Sequence, residues 1–225
     1  MNSMITPRWL GRIHYAEGMQ LQESLVAGKI GGDAANHLLL LEHEPVYTMG
    51  RTRDESSLRK ETALPHPVHR TNRGGPATYH GPGQLVGYPV LDLVLFDRDL
   101  HAYLRFLEEV LITLLARHGV RGGRIDGKTG VWAGDRKIAS LGVGVRKWIS
   151  MHGFAINIRG DLSPFSHITP CGLPGVQMTS LEAEGATGVT VESCAREVGI
   201  IFNELLRTET GTGKIWNSGT QELTV

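Results

Sequence analysis

The sequence predicts a mixed α/β fold, and three observations carry that reading. Short apolar runs with the character of buried strands alternate with three segments whose apolar residues recur at helical spacing. Two β-like runs flank Gly134-Asp135, a pair with the character of a hairpin turn. No repeat, low-complexity tract or linker divides the chain, so one domain over residues 1–225 is the economical organisation, with 208–225 a candidate C-terminal extension.

Taken in order, Leu10 to Tyr15 reads as a short strand, and Glu17 to Ala27 as a helix on the spacing of Met19, Leu21 and Leu25. The glycines between Gly28 and Gly32 end that helix. His37 to Glu42 reads as a buried strand, and after Glu44-Pro45 the run Val46 to Met49 follows. Residues 51–67 are polar and carry Pro65 and Pro67, the pattern of a mobile connection.

The segment Arg73-Gly74-Gly75-Pro76-Ala77-Thr78-Tyr79-His80-Gly81-Pro82-Gly83-Gln84 is too poor in apolar side chains to be core and reads as a ligand-cradling loop. It leads into a buried strand from Leu85 to Leu93. Asp99 is the expected N-cap of a helix reaching His118. Leu100, Tyr103, Leu104, Leu107, Leu111, Leu114 and Leu115 share one face of that helix, and Gly119 stops it. The hairpin Gly130–Ala133 and Arg136–Val143, a second turn at Arg146-Lys147 and a run from Ile149 to Ile158 complete the β-rich part. Thr190 caps a last helix to about Arg207.

Composition narrows the function classes. The chain has 23 basic and 23 acidic residues, so no basic excess marks it as a nucleic-acid or anionic-membrane binder. Two cysteines in 225 residues make no disulfide framework. The N-terminus lacks a signal-peptide layout, and the longest apolar stretch, Leu38 to Leu41, is too short to span a bilayer. The expectation is a soluble, reduced, cytoplasmic protein. Local basic clusters remain at Arg51, Arg53, Arg59 and Lys60, and at Arg146-Lys147; these read as solvated faces.

The two cysteines contrast. Cys194 is in register with Val191, Val198, Ile201 and Leu205, the place of a small core hydrophobe. Cys171 stands between Pro170 and Gly172 in a glycine-flanked loop, where packing alone explains it less well. A thiol of pKa ~8.5 is only about 3% thiolate at neutral pH, so a nucleophilic cysteine needs a cation, a base or a helix N-terminus beside it. Lysine can supply the charge and then shuttle the proton when it is partly desolvated. Lys137 opens an otherwise apolar or small strand, but residue pattern alone reads it as a solvent-facing hairpin lysine. The ten histidines form no His-Glu-x-x-His helix, because Pro45 follows His43-Glu44, and His66 with His69 supply only two ligands. No Gly-x-Ser-x-Gly elbow occurs either.

Four motifs in one order, over roughly residues 10–207, give the chain a resemblance. They are Arg73 to Gln84, Lys137 before Ile138-Ala139-Ser140-Leu141-Gly142, His152-Gly153-Phe154-Ala155-Ile156-Asn157, and Pro170-Cys171-Gly172. Together they resemble the lipoyl(octanoyl) transferases of lipoate biosynthesis. The resemblance implies an α+β fold, a mixed sheet flanked by helices, like that of biotin and lipoate-protein ligases. It implies transfer of octanoyl from acyl carrier protein to a lysine of lipoyl domains, in 2-oxo acid dehydrogenases and the glycine cleavage H protein, without ATP or another cofactor.

Carried residue by residue, the resemblance makes Cys171 the acyl-accepting nucleophile and Lys137 the lysine that lowers its pKa. The implied substrate-binding residues are Arg73, Gly74, Gly75, Pro76, Ala77, Thr78, Tyr79 and His80, then Ser140, Leu141 and Gly142, then Gly153, Phe154 and Ala155. Leu85 and Phe154 are candidates to line an acyl tunnel. Arg51 and Arg53 are candidates for docking the acidic carrier protein. The rivals are an ATP-dependent lipoate- or biotin-protein ligase, which needs no nucleophilic cysteine, and a non-catalytic module binding acyl carriers or lipoyl domains. A related transferase moving octanoyl between lipoyl domains is a third.

Overall fold

A computed structural model describes residues 5–51, 64–169 and 175–212, with side chains to 208. Strand β1 (Thr6–Ile13) leads through helix α1 (Tyr15–Ile30) to β2 (His37–His43) and β3 (Val46–Met49). β4 (Val68–Arg70), β5 (Thr78–His80) and β6 (Gln84–Val90) follow, and then α2 (Leu100–Arg117). β7 (Gly123–Ile125), β8 (Lys128–Ala133), β9 (Arg136–Arg146) and β10 (Ile149–Asn157) precede α3 (Val191–Thr212). Seven strands form one sheet in the order β1-β2-β6-β10-β9-β8-β7, and three form a second in the order β4-β3-β5. In the larger sheet only β1 and β2 run parallel; β3 and β4 are the parallel pair of the smaller one.

The strands with continuous apolar runs are those covered on both faces. In β2, Leu38 and Leu40 join a core shared with Phe106, Leu107, Leu111 of α2 and Val198, Ile201, Phe202 of α3. Leu39 and Leu41 point the other way, to Val86, Tyr88 and Ala155, under Leu21 and Leu25 of α1. This alternation is the period of two expected of a strand, and burial on both sides removes the polar face that would have revealed it. Cys194 is fully buried in the α2–α3 core, as its register predicts.

The caps agree with the sequence. The Asp99 carboxylate accepts from His101 N and Ala102 N, and the Thr190 hydroxyl accepts from Ser193 N at 3.1 Å. The β9–β10 turn falls at Lys147-Trp148, both at positive φ. Several boundaries differ, among them that strand β6 ends at Val90 and α3 runs past Arg207 to Thr212. β1 begins at Thr6 rather than Leu10, and α1 continues through Gly28 to Ile30 before Gly31 caps it. The glycine-rich segment is not all loop: Ala77, Thr78, Tyr79 and His80 are buried, and 78–80 pair with β3. Its His80 ring is held between Gln84 and Thr48, and the backbone of 78–80 is paired with β3, which is how so polar a stretch enters the interior.

Candidate functional site

A cavity of about 360 Å³ lies where the two sheets meet, over the middle of β6, β9 and β10. One wall is the glycine-rich segment: Arg73, Gly74, Gly75, Pro76, Ala77, Thr78 and His80. Ser140, Leu141, Gly142 and Val143 of β9 and His152, Gly153, Phe154 and Ala155 of β10 form a second. Thus three of the sequence motifs converge on one space. Tyr79 does not line it; strand alternation turns its ring to the opposite face, against Tyr47 at 5.4 Å and Phe165 at 5.5 Å. Leu85 is likewise turned away into the helix-side core, and its neighbour Val86 takes the cavity position. Phe154 both lines the cavity and belongs to the core.

Glycines set the shape. Gly74 N donates to Val143 O at 2.9 Å, and a Cβ on Gly142 would lie 3.0 Å from Gly74 O, so the loop sits directly on β9. A Cβ on Gly50 would come within 2.0 Å of Gly75 O, which packs the end of β3 against the same loop. Arg73 reaches back under it, its Nη2 donating to Thr48 O at 2.7 Å and Thr48 Oγ1 at 2.9 Å.

Behind this wall is a buried polar cluster, of which only Arg73 and His80 are among the expected site residues, although Gln84, His152 and Asn157 stand in the motifs. His43 Nδ1 faces the Ile13 carbonyl at 3.1 Å, so that nitrogen carries the proton and Nε2 accepts from Tyr88 OH at 2.7 Å. Gln84 Nε2 donates to Tyr79 O and Asn157 Oδ1, which leaves its oxygen to accept from His80 Nδ1 at 2.7 Å. His152 Nε2 contacts Asn72 Oδ1 at 2.6 Å. Burial holds all three imidazoles neutral: His43 falls to about 4, His80 to about 3, and His152 to about 4, the last also beside the cations of Arg73 and Arg51. Burial raises Tyr15, at the same end of the cavity, to about 12. His69 lies against the Tyr15 ring and His66 against Tyr47 and Tyr79, and no group of three metal-ligating side chains forms among the described residues.

Lys137 corrects the hairpin reading: it is fully buried. The ladder between β8 and β9 shifts register between Val131 and Trp132, so Lys137 faces Trp132. On the side of β9 away from β8, past the end of β10, the segment at 177–179 pairs with Lys137, through Lys137 N to Gln177 O at 2.8 Å and Thr179 N to Lys137 O at 3.0 Å. Its ammonium donates to Thr129 O at 2.9 Å and lies 5.4 Å from the Trp132 ring centroid. Thr129 is itself in the cavity wall, so one hydrogen bond separates the lysine from the cavity. Cys171 lies outside the described residues, between Thr169 and Gly175. Arg51 is exposed, whereas Arg53, Arg59 and Lys60 fall outside the described residues; Arg146 pairs with Glu23. No helix among the described residues is long and apolar enough to cross a membrane.

Comparison with known proteins agrees with this geometry. Residues 14–202 match the model of the lipoyl protein ligase A/B catalytic domain. The chain is 51% identical over 193 residues to an octanoyltransferase of Geobacter sulfurreducens, spanning 86% of this chain and 81% of that one. It is 52% identical to an octanoyltransferase of Citrifermentans bemidjiense, spanning 88% and 95%. Among solved structures, the bipartite lipoate protein ligase of Thermoplasma acidophilum superposes with a TM-score of 0.67 at 18% identity, covering 91% of this chain and 84% of that one. The biotin protein ligase of Aquifex aeolicus follows at 0.55 and 13%, covering 92% and 72%. These two likenesses establish the fold, a mixed sheet flanked by helices. The chain belongs to the lipoyl protein ligase A/B catalytic-domain family.

Proposed function

We propose that this protein is an octanoyltransferase that moves an octanoyl group from acyl carrier protein to a lysine of lipoyl domains through a Cys171 thioester. The observation that carries this reading is the buried Lys137 ammonium, one hydrogen bond behind the cavity, in a chain half identical to proteins named octanoyltransferase. A lysine removed from solvent is costly unless its charge is used, and a thiolate is the partner that the cysteine loop supplies.

The proposed chemistry balances without an energy cofactor. The Cys171 thiolate attacks the carbonyl of the donor thioester, a new C–S bond forms, and the carrier's C–S bond breaks. Lys137 gives its proton to the departing carrier thiolate. The incoming lysine amine then attacks the enzyme thioester; C–N forms, C–S breaks, and neutral Lys137 takes the amine proton, restoring the ammonium–thiolate pair. Thioester exchange is nearly isoenergetic and amide formation is downhill, so ATP is not needed. The apolar side chains of Val86, Leu104, Leu141, Val143 and Phe154 offer the acyl chain its surface, and the Arg73–His80 segment closes over it. The acceptors are the lipoyl domains of 2-oxo acid dehydrogenases and the glycine cleavage H protein, and the reaction is cytoplasmic.

The test is intact mass after incubation with octanoyl-acyl carrier protein. The native protein gains one octanoyl group, Cys171→Ser does not, and a lipoyl domain discharges the adduct. ATP-dependent pyrophosphate release with free octanoate, and no adduct, would replace the transferase with a ligase.

A further inference from the structure

Glu108, on α2, takes part in none of the motifs above, yet only 1% of it is exposed. Its Oε2 accepts from Arg105 Nη1 at 2.6 Å and Arg124 Nε at 3.0 Å. These two arginines reach solvent, and Arg124 also pairs with Glu109 at 2.8 Å. The inner oxygen, Oε1, accepts from the backbone N–H of Gly130 at 3.1 Å. That N–H and the Thr129 carbonyl belong to one peptide unit, and the carbonyl is the acceptor of the Lys137 ammonium. In a planar trans peptide the N–H and C=O point in opposite directions. A buried carboxylate and a buried ammonium therefore hold the same peptide from its two ends.

The seat is specific to glycine. Gly130 has φ +131°, and a Cβ there would lie 2.6 Å from Lys137 Cε and 2.7 Å from Ala139 O. A carboxylate at the N–H end makes the carbonyl at the other end a stronger acceptor. The charged groups facing this unit are Glu108 with Arg105 and Arg124 on the helix side, and Lys137, with Lys128 over the same Trp132 ring, on the other.

We infer that Glu108 is a positioning residue, which fixes the Lys137 ammonium through the Thr129–Gly130 peptide. The inference rests on the reading of Lys137 as partner of Cys171. The arrangement seats the ammonium on a β8 peptide that is itself held from the helix side, so the lysine is oriented before acyl donor arrives.

The experiment is the pH dependence of Cys171 alkylation, read beside single-turnover octanoyl transfer and melting temperature. Glu108→Ala raises the alkylation midpoint by about one pH unit and slows acylation about tenfold, with KM for the donor kept. Glu108→Gln, whose amide oxygen still accepts from Gly130, recovers most of that rate. In a Lys137→Ala background, Glu108→Ala adds nothing further. A purely structural role would lower the melting temperature of both Glu108 variants and leave the alkylation midpoint native. Gly130→Ala leaves the Glu108 ion pairs intact and displaces the lysine, so it carries the test if Glu108→Ala does not fold; its midpoint also rises. A shifted midpoint in Lys137→Ala with a native one in folded Glu108→Ala or Gly130→Ala overturns the role of Glu108 alone. A native midpoint in Lys137→Ala overturns the reading of Lys137 and this inference with it.

Discussion

A single glycine sets the seat of one aromatic ring in the cavity wall. The Phe154 ring lies across Gly87, where a Cβ would come within 2.0 Å of Phe154 Cζ. Gly87→Ala therefore drives the ring off its seat and into the cavity it lines, at an overpacking cost of about 1–3 kcal/mol. The expected outcome is a fall in kcat/KM for octanoyl donors with hexanoyl donors less affected; equal losses for both chain lengths would place the ring elsewhere. Residue roles were partly legible in the sequence. The glycine segment reads as a ligand cradle from its own residues, whereas Ser140–Gly142 and Gly153–Ala155 enter only through the resemblance; all three converge on the cavity. Lys137 did not announce its burial, because the β8–β9 register shift and the added pairing at 177–179 that enclose it leave no local pattern. Leu85 and Val86 are both apolar, and only the strand's phase tells that Val86 faces the cavity.

Helices were read more faithfully than short strands. α2 carries an unbroken apolar stripe and a side-chain cap, both set by neighbours in sequence. The Asp99 carboxylate accepts from two backbone N–H groups, so Asp99→Ala leaves orphan donors in the first turn. The expected loss is about 1 kcal/mol, seen as a melting temperature roughly 2–4 °C lower. Activity at low temperature should be retained, since Asp99 itself does not line the cavity. By contrast β4, β5 and β7 each span three residues, and β4 and β5 exist only through pairing with β3, well before them in the chain. β5 in particular lies within a glycine- and proline-rich segment that local propensity assigns to loop; its pairing with β3 from Val46 to Thr48 overrides that preference.

At the scale of the molecule, the cavity is assembled where two sheets abut, and this placed His43, His80 and His152 in the interior together. Each is neutral in the folded protein, with its pKa lowered to between about 3 and about 4, first of all by burial. In the unfolded chain a histidine binds a proton near pH 6.5. Between these values the unfolded state binds more protons, so stability is fully present above pH ~6.5 and is lost as pH falls toward 4. From pH 7 to 5 each histidine contributes a loss of roughly 1–2 kcal/mol, enough to lower a urea midpoint visibly. Replacing His152 by Gln removes one titrating group, so the fall in urea midpoint between pH 7 and 5 should become smaller in that variant. An unchanged pH dependence would mean that this imidazole titrates in the folded protein as it does in the unfolded chain, so that below pH ~6.5 the polar end of the cavity presents a cation beside Arg73 rather than a neutral surface.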